Sequence, residues 1–123
     1  MLKMNYIHLE GIKPSEGAIQ EIVLTPIPSV IKGQKITYEI ESDKDIDEEI
    51  VLSCEIVGES GVVIAPSVNG ESVYLNLKAG EVSEKIYDVP EYRLSNEGEH
   101  TIIFYANNDR IGHLMVNVRL PRD

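Results

Sequence analysis

The chain has no tryptophan, one phenylalanine (Phe104) and one cysteine (Cys54). A lone cysteine excludes an internal disulfide, and with it the small scaffolds that use disulfides in place of a core. No stretch approaches the roughly 20 apolar residues of a membrane helix, and residues 1–9 lack an apolar run of secretion-leader length. On this reading the chain is made in the cytoplasm and is not inserted in a membrane. Its final location is unknown, and both a virion-associated protein and a fragment of a longer surface protein agree with it. Positive charge is scarce: 11 Lys and Arg stand against 21 Asp and Glu, a formal charge of −10. Such a surface repels nucleic-acid phosphates and anionic lipid heads, so no nucleic-acid partner is expected.

Linear signatures of chemistry are missing too. There is no P-loop, no dinucleotide fingerprint and no alternation of strands with crossover helices. Gly58-Glu59-Ser60-Gly61-Val62 approaches the G-x-S-x-G nucleophile elbow but lacks its last glycine and a following helix, so it reads as a plain β-turn. His8, His100 and His113 have neither H-x-x-x-H nor H-x-H spacing and read as surface or half-buried residues. No catalytic residue, cofactor or resident metal is expected.

What the chain does have is a hydrophobic period of two. Ile36, Tyr38 and Ile40 alternate with polar residues, as do Ile50, Leu52, Cys54 and Ile56, then Val73, Leu75 and Leu77, then Leu114, Val116, Val118 and Leu120. That spacing belongs to half-buried strands, not helices. Strands are expected over 5–10, 20–25, 34–42, 49–57, 62–65, 71–78, 81–89, 99–106 and 110–120. Gly11, Pro14, Ser15 and Gly17 mark a loop, and Pro26 and Pro28 stop the second strand. Residues 43–48 read as a polar loop or one helical turn, and Asn69 and Gly70 as a hairpin turn. The stretch 81–89 alternates imperfectly and reads as an edge strand or a bulged one. Tyr92 and Leu94 are expected to plug one end of the core. Asn107, Asn108 and Asp109 join the last two strands in a tight hairpin, with Gly112 marking a bulge. Cys54 falls on the apolar face of its strand and is expected to be a buried, inert thiol. At 123 residues the chain can bury about two thirds of its unfolded surface. The expectation is an all-β fold: a single two-layer antiparallel β-sandwich of seven to nine strands spanning 1–123, with 1–30 as N-terminal strands and loops and 31–120 as the sandwich body.

The segments GQKITYEI, EIVLSCEI and LSNEGEHTIIFYANNDRIGHLMVNV resemble an immunoglobulin-like or fibronectin type III-like sandwich over roughly residues 30 to 120. In many such domains a leucine precedes a Gly-rich turn, an aromatic residue and an alternating strand. Leu94, the turn at 96–98 and the strand from 99 match, but His100 stands at the aromatic position. The disulfide and tryptophan of antibody domains are absent. The resemblance implies the architecture and no particular activity.

Three surface features are candidates for function. Acidic residues crowd one region: Glu39, Glu41, Asp43, Asp45, Asp47, Glu48, Glu49, Glu55 and Glu59 stand against Lys44 alone. Within it Asp43, Asp45 and Asp47 alternate like the start of a calcium loop, but Glu48 and Cys54 occupy the positions where an EF-hand needs Gly and Glu. They are read as a weak cation-attracting loop. The six tyrosines (Tyr6, Tyr38, Tyr74, Tyr87, Tyr92 and Tyr105) would form a sugar platform or protein anchor if their outward members cluster. Finally, the penultimate strand has two partly apolar faces. Its Thr101, Ile103 and Tyr105, with His113, Met115 and Asn117, form a candidate contact patch. The leading expectation is a non-enzymatic protein-interaction or structural module of a larger assembly, such as a phage or virus particle or a bacterial surface protein, working through a protein partner or self-association. A carbohydrate-binding module with a glycan ligand is the second reading, and a small metal-dependent hydrolase the third.

Overall fold

The strands follow the alternation. In the computed structural model, which describes residues 1–9, 20–23, 28–61, 63–65 and 70–121, they are β1 (Leu2–Leu9), β2 (Gln20–Val23), β3 (Ser29–Ile31), β4 (Lys35–Ser42), β5 (Ile46–Val57), β6 (Val63–Ala65), β7 (Glu71–Leu77), β8 (Val82–Asp88), β9 (Tyr92–Leu94), β10 (Gly98–Ala106) and β11 (Asp109–Arg119). The loop expected around Gly11, Pro14, Ser15 and Gly17, the stop at Pro26 and the Asn69 half of a hairpin turn lie outside the described residues. Of these eleven strands, nine lie at the nine expected positions, and β3 and β9, three residues each, are additional.

One layer runs β1-β4-β8 and the other β2-β11-β10-β5, with β6 and β7 beyond β5. Ile56 pairs with both Ile102 and Ala65, and Leu52 with both Ala106 and Glu71. A strand has two edges, so β6 and β7 share the edge of β5 that faces away from β10. All pairings are antiparallel except β2 with β11, which is parallel. The result is an immunoglobulin-like two-layer β-sandwich. One buried cluster fills it, built from the inward residues of both layers. Ile36, Tyr38 and Ile40 of β4 meet Ile50, Leu52 and Ile56 of β5, Phe104 of β10 and Val116 of β11. Phe104 and Tyr87 pack edge to face, with ring centroids 5.6 Å apart.

Several sequence expectations are corrected. The stretch 43–48 is not all loop: β5 begins at Ile46, because that side chain is buried and its backbone pairs with Leu77. β1 starts earlier than residue 5 and carries a bulge between Met4 and Tyr6. β8 is an edge strand of its layer and keeps one register with β4 throughout, so it has no bulge. Tyr92 and Leu94 are buried as expected, yet they belong to β9, which pairs with β3. His100 is neither a surface nor a half-buried residue but 3% exposed. It alternates with Ile102 and Phe104, and its Nδ1–H donates to the Gly98 carbonyl at 2.9 Å. It therefore ties the chain back to its own upstream backbone, much as a corner tyrosine does.

The hairpin between β10 and β11 turns on Asn107 and Asn108, which have φ of 48° and 71°. This is the left-handed pair that a tight hairpin needs and that asparagine tolerates. Asn107 also extends the ladder: its N–H donates to the Val51 carbonyl and its Oδ1 accepts the Val51 N–H, both at 2.9 Å. Past the turn, Gly112 pairs with Phe104 and Arg110 with Tyr105, so Ile111 is the extra residue of a bulge. A side chain on Gly112 would stand 2.9 Å from Ile7 Cδ1 and 3.0 Å from Met4 Cβ. The glycine lets the edge strand β1 close against the start of β11. Cys54 is buried, and burial pushes its thiol pKa up while the Tyr87 hydroxyl partly offsets this. The burial and the net upward shift agree with an unreactive thiol.

Candidate interaction face

Strand alternation decides what the β11-β10-β5 sheet shows to the outside. Since His100, Ile102, Phe104 and Ala106 point inward with Leu114, Val116 and Val118, the intervening side chains point out. Cross-strand neighbours on β10 and β11 are Thr101 with Met115, Ile103 with His113, and Glu99 with Asn117. Thr101, Ile103, Tyr105, His113, Met115 and Asn117 thus lie on one face, His113 exposed and the other five half-buried. The bulge at Ile111 brings Arg110 opposite Tyr105. β5 adds Val57, Glu55 and Ser53 opposite Thr101, Ile103 and Tyr105. The Tyr105 hydroxyl donates to Glu55 Oε1 at 3.4 Å. Burial, then the Glu55 carboxylate, raises the Tyr105 pKa. Across this face Thr101 stands between Met115 and Val57, and Ile103 between His113 and Glu55.

The outer face of the other layer differs in chemistry. There Tyr6 and Lys3 of β1 pair with Glu39 and Glu41 of β4, which neighbour Glu84 and Val82 of β8, and His8 pairs with Thr37. These carboxylates are engaged: the Asn5 amide donates to Glu41 at 3.1 Å and to Glu39 at 3.5 Å, and the Tyr6 hydroxyl donates to Glu84. That bond, assisted by slight burial and the charges of Glu84 and Glu39, pushes the Tyr6 pKa up to about 12.

The acidic loop does not gather its carboxylates. Asp43 accepts from the Met1 ammonium, Asp45 accepts the Ala79 N–H at 2.9 Å, and Asp47 accepts from the Tyr74 hydroxyl. Bonding to the ammonium lowers the Asp43 pKa. Among the described residues no three His, Cys, Asp or Glu side chains converge as a metal-binding group. The six tyrosines are dispersed as well. Tyr38, Tyr87 and Tyr92 are buried, Tyr6 and Tyr105 half-buried, and Tyr74 is 60% exposed. Tyr6 and Tyr105 lie on opposite layers. Ser60 belongs to the expected β-turn, closed by the Gly61 N–H donating to the Gly58 carbonyl at 2.9 Å.

No protein-family model matches the sequence, and no curated protein matches it. Solved structures do share the fold. Part of the alkylpurine DNA glycosylase AlkC of Pseudomonas fluorescens, bound to DNA containing an abasic site analogue, aligns over 96% of this chain at 15% identity and a TM-score of 0.56. Part of a β-glucosidase from Listeria innocua in complex with glucose aligns over 97% at 13% identity and a TM-score of 0.55. An immunoglobulin-like protein of Pseudomonas aeruginosa aligns over 97% of both chains at 16% identity, with a TM-score of 0.36. The chain spans 30% of the glycosylase and 16% of the glucosidase.

Proposed function

We propose that this chain is a non-enzymatic protein-interaction module of a larger assembly, and that it binds through the outer face of β11, β10 and β5. The observation that carries the reading is chemical contrast. In a chain of charge −10, this face carries Ile103, Met115, Val57 and Tyr105, with Thr101, His113 and a single carboxylate, Glu55, set among them. The opposite layer shows carboxylates that already have partners. Apolar side chains and an aromatic anchor set among polar ones on one sheet face suit a contact surface. The module reading draws further support from the two like-folded structures above, in which the matched region is a minor part of a longer chain. The assembly we have in mind is a phage or virus particle or a bacterial surface protein, and genes for capsid, tail or surface proteins beside this one would favour it.

The test is capture of the partner, or of a second copy, from the native source with wild type and with Ile103→Glu or Met115→Glu. Light scattering over a concentration series covers self-association, and far-ultraviolet spectra confirm that the variants fold. Each variant is expected to weaken binding at least about tenfold, as for residues at the centre of an interface. Folded variants that bind like wild type would contradict the proposal.

A further inference from the structure

At the end of the sandwich remote from the β10–β11 hairpin there is a cleft of about 510 Å³, lined by Gly58, Glu59, Ser60, Ile64, Asn96, Glu97 and His100. Its chemistry is one-sided. Among the described residues no Lys or Arg lines it, while two carboxylates do. Glu97 uses one oxygen, Oε1, to accept the Leu120 N–H at 2.9 Å, which leaves Oε2 for another donor. Glu59 lies over the backbone of Gly98, where a Cβ would come within 2.6 Å of its Oε2. Gly98, at φ 112°, is the residue whose carbonyl holds His100.

His100 turns this acidic corner into a built site. It is 3% exposed, and its Nδ1–H is committed to the Gly98 carbonyl. A carbonyl only accepts, so the proton of the neutral ring sits on Nδ1, and Nε2 carries a lone pair. Nε2 has no partner among the described residues, yet no fully buried side-chain nitrogen or oxygen there lacks one. His100 lines the cleft, and with Nδ1 committed, Nε2 is the ring nitrogen left for a ligand there.

We infer that this cleft binds a guanidinium group, with Glu59 and Glu97 accepting its N–H donors and His100 Nε2 accepting one more. A guanidinium offers several donors in a planar fork and loses little hydration, which suits a cleft of converging acceptors better than a compact ammonium does. The same group reaches the cleft either as a free small molecule or as an arginine side chain of a partner. The site is separate from the outer face proposed above, and the two stand or fall independently.

The experiment is a nitrogen–proton correlation NMR titration of the intact chain at physiological salt. The probes are N-acetylarginine amide, a Gly-Arg-Gly peptide and, as uncharged control, N-acetylnorleucine amide. Expected are shifts confined to Gly58, Glu59, Ser60, Asn96, Glu97 and the His100 ring nitrogens, with none from the control. Binding by both arginine probes admits either source, and binding by the peptide alone points to a partner side chain; either result supports the inference. Glu59→Gln, on an exposed turn, should weaken binding about tenfold, as expected for loss of a charge-assisted hydrogen bond. His100→Phe should also weaken it, while Ile103→Glu should leave it unchanged. Shifts spread evenly over Glu39, Glu41 and Asp45, wild-type affinity in Glu59→Gln, or zinc ion alone occupying the same atoms more tightly than the arginine probes would each overturn it.

Discussion

Phe104→Ala is expected to remove about 3–5 kcal/mol of stability, the usual cost of truncating a fully buried phenylalanine. Phe104 is 0% exposed, stands on the central strand of its layer and meets Tyr87 of the opposite layer edge to face. It is also the only phenylalanine, in a chain without tryptophan. The strands paired on both sides of β10 hold the walls apart, so a cavity persists. Against a total of about 5–15 kcal/mol for a domain of this kind, the variant is left marginal or unfolded. Urea denaturation measures the effect: the midpoint should fall sharply with little change in slope. A loss below about 1 kcal/mol would mean that Phe104 does not join the two layers.

Alkaline pH is expected to unfold the protein steeply between about pH 10 and pH 12. Burial, with a contribution from Glu71, pushes the Tyr38 pKa from 10.0 up to about 12. Tyr87 is raised further, by burial first and then by Cys54 and Glu71. Tyr92 is also raised further, by burial, although its bond to Gln34 acts the other way. Below pH 10 these phenols are protonated whether the chain is folded or not, and stability does not depend on them. As pH rises through 10, the unfolded chain releases protons that the folded chain retains, so every further step favours unfolding. Tyrosinate absorbance and melting temperature, followed together, test this. The absorbance should appear late and in step with unfolding, and Tyr87→Phe should flatten the dependence. Free titration near pH 10 with the melting temperature unchanged would contradict the burial of these rings.

The strands were legible wherever one face is buried and the other wet, because the pleat then writes itself into the sequence. Ile36, Tyr38 and Ile40, and Ile102, Phe104 and Ala106, are examples, and the asparagine-rich hairpin between β10 and β11 announced its own turn. Legibility failed where a residue's neighbours in space, not in sequence, decide its environment. Asp47, Glu48 and Glu49 hid the start of β5, since Ile46 is buried only by virtue of pairing with Leu77. Val82 and Ile86 are exposed on β8 while Lys85 is half-buried on its inward side. That blurred the alternation of a strand whose seven pairs with β4 are regular. The parallel pairing of β2 with β11 leaves no local signature at all.

The candidate surfaces divide the same way. Thr101, Ile103, Tyr105, His113, Met115 and Asn117 could be grouped in advance because a hairpin fixes its own register. The aspartates at 43, 45 and 47 share a spacing in sequence, yet each finds a different partner: the N-terminus, the Ala79 backbone and Tyr74. The cleft around His100 went unnoticed because it joins the turn after β5 to the loop before β10. His100 shares the strand face of Ile102 and Phe104 yet reads from sequence as a surface or half-buried residue, and no sequence spacing reveals that Glu59 lies over Gly98.

Thiol labelling along β10 probes the two-sided strand on which both the core and the proposed contact face depend. In a Cys54→Ala background, single cysteines are placed by Thr101→Cys, Ile102→Cys and Ile103→Cys, and their modification rates are measured under native conditions. Positions 101 and 103 should react quickly and position 102 only as fast as the strand opens, with native Cys54 as the slow reference. Fast reaction at 102 alone would show that Ile103 faces the interior, and equal rates at all three positions would show that the strand is not two-sided; either result contradicts the account.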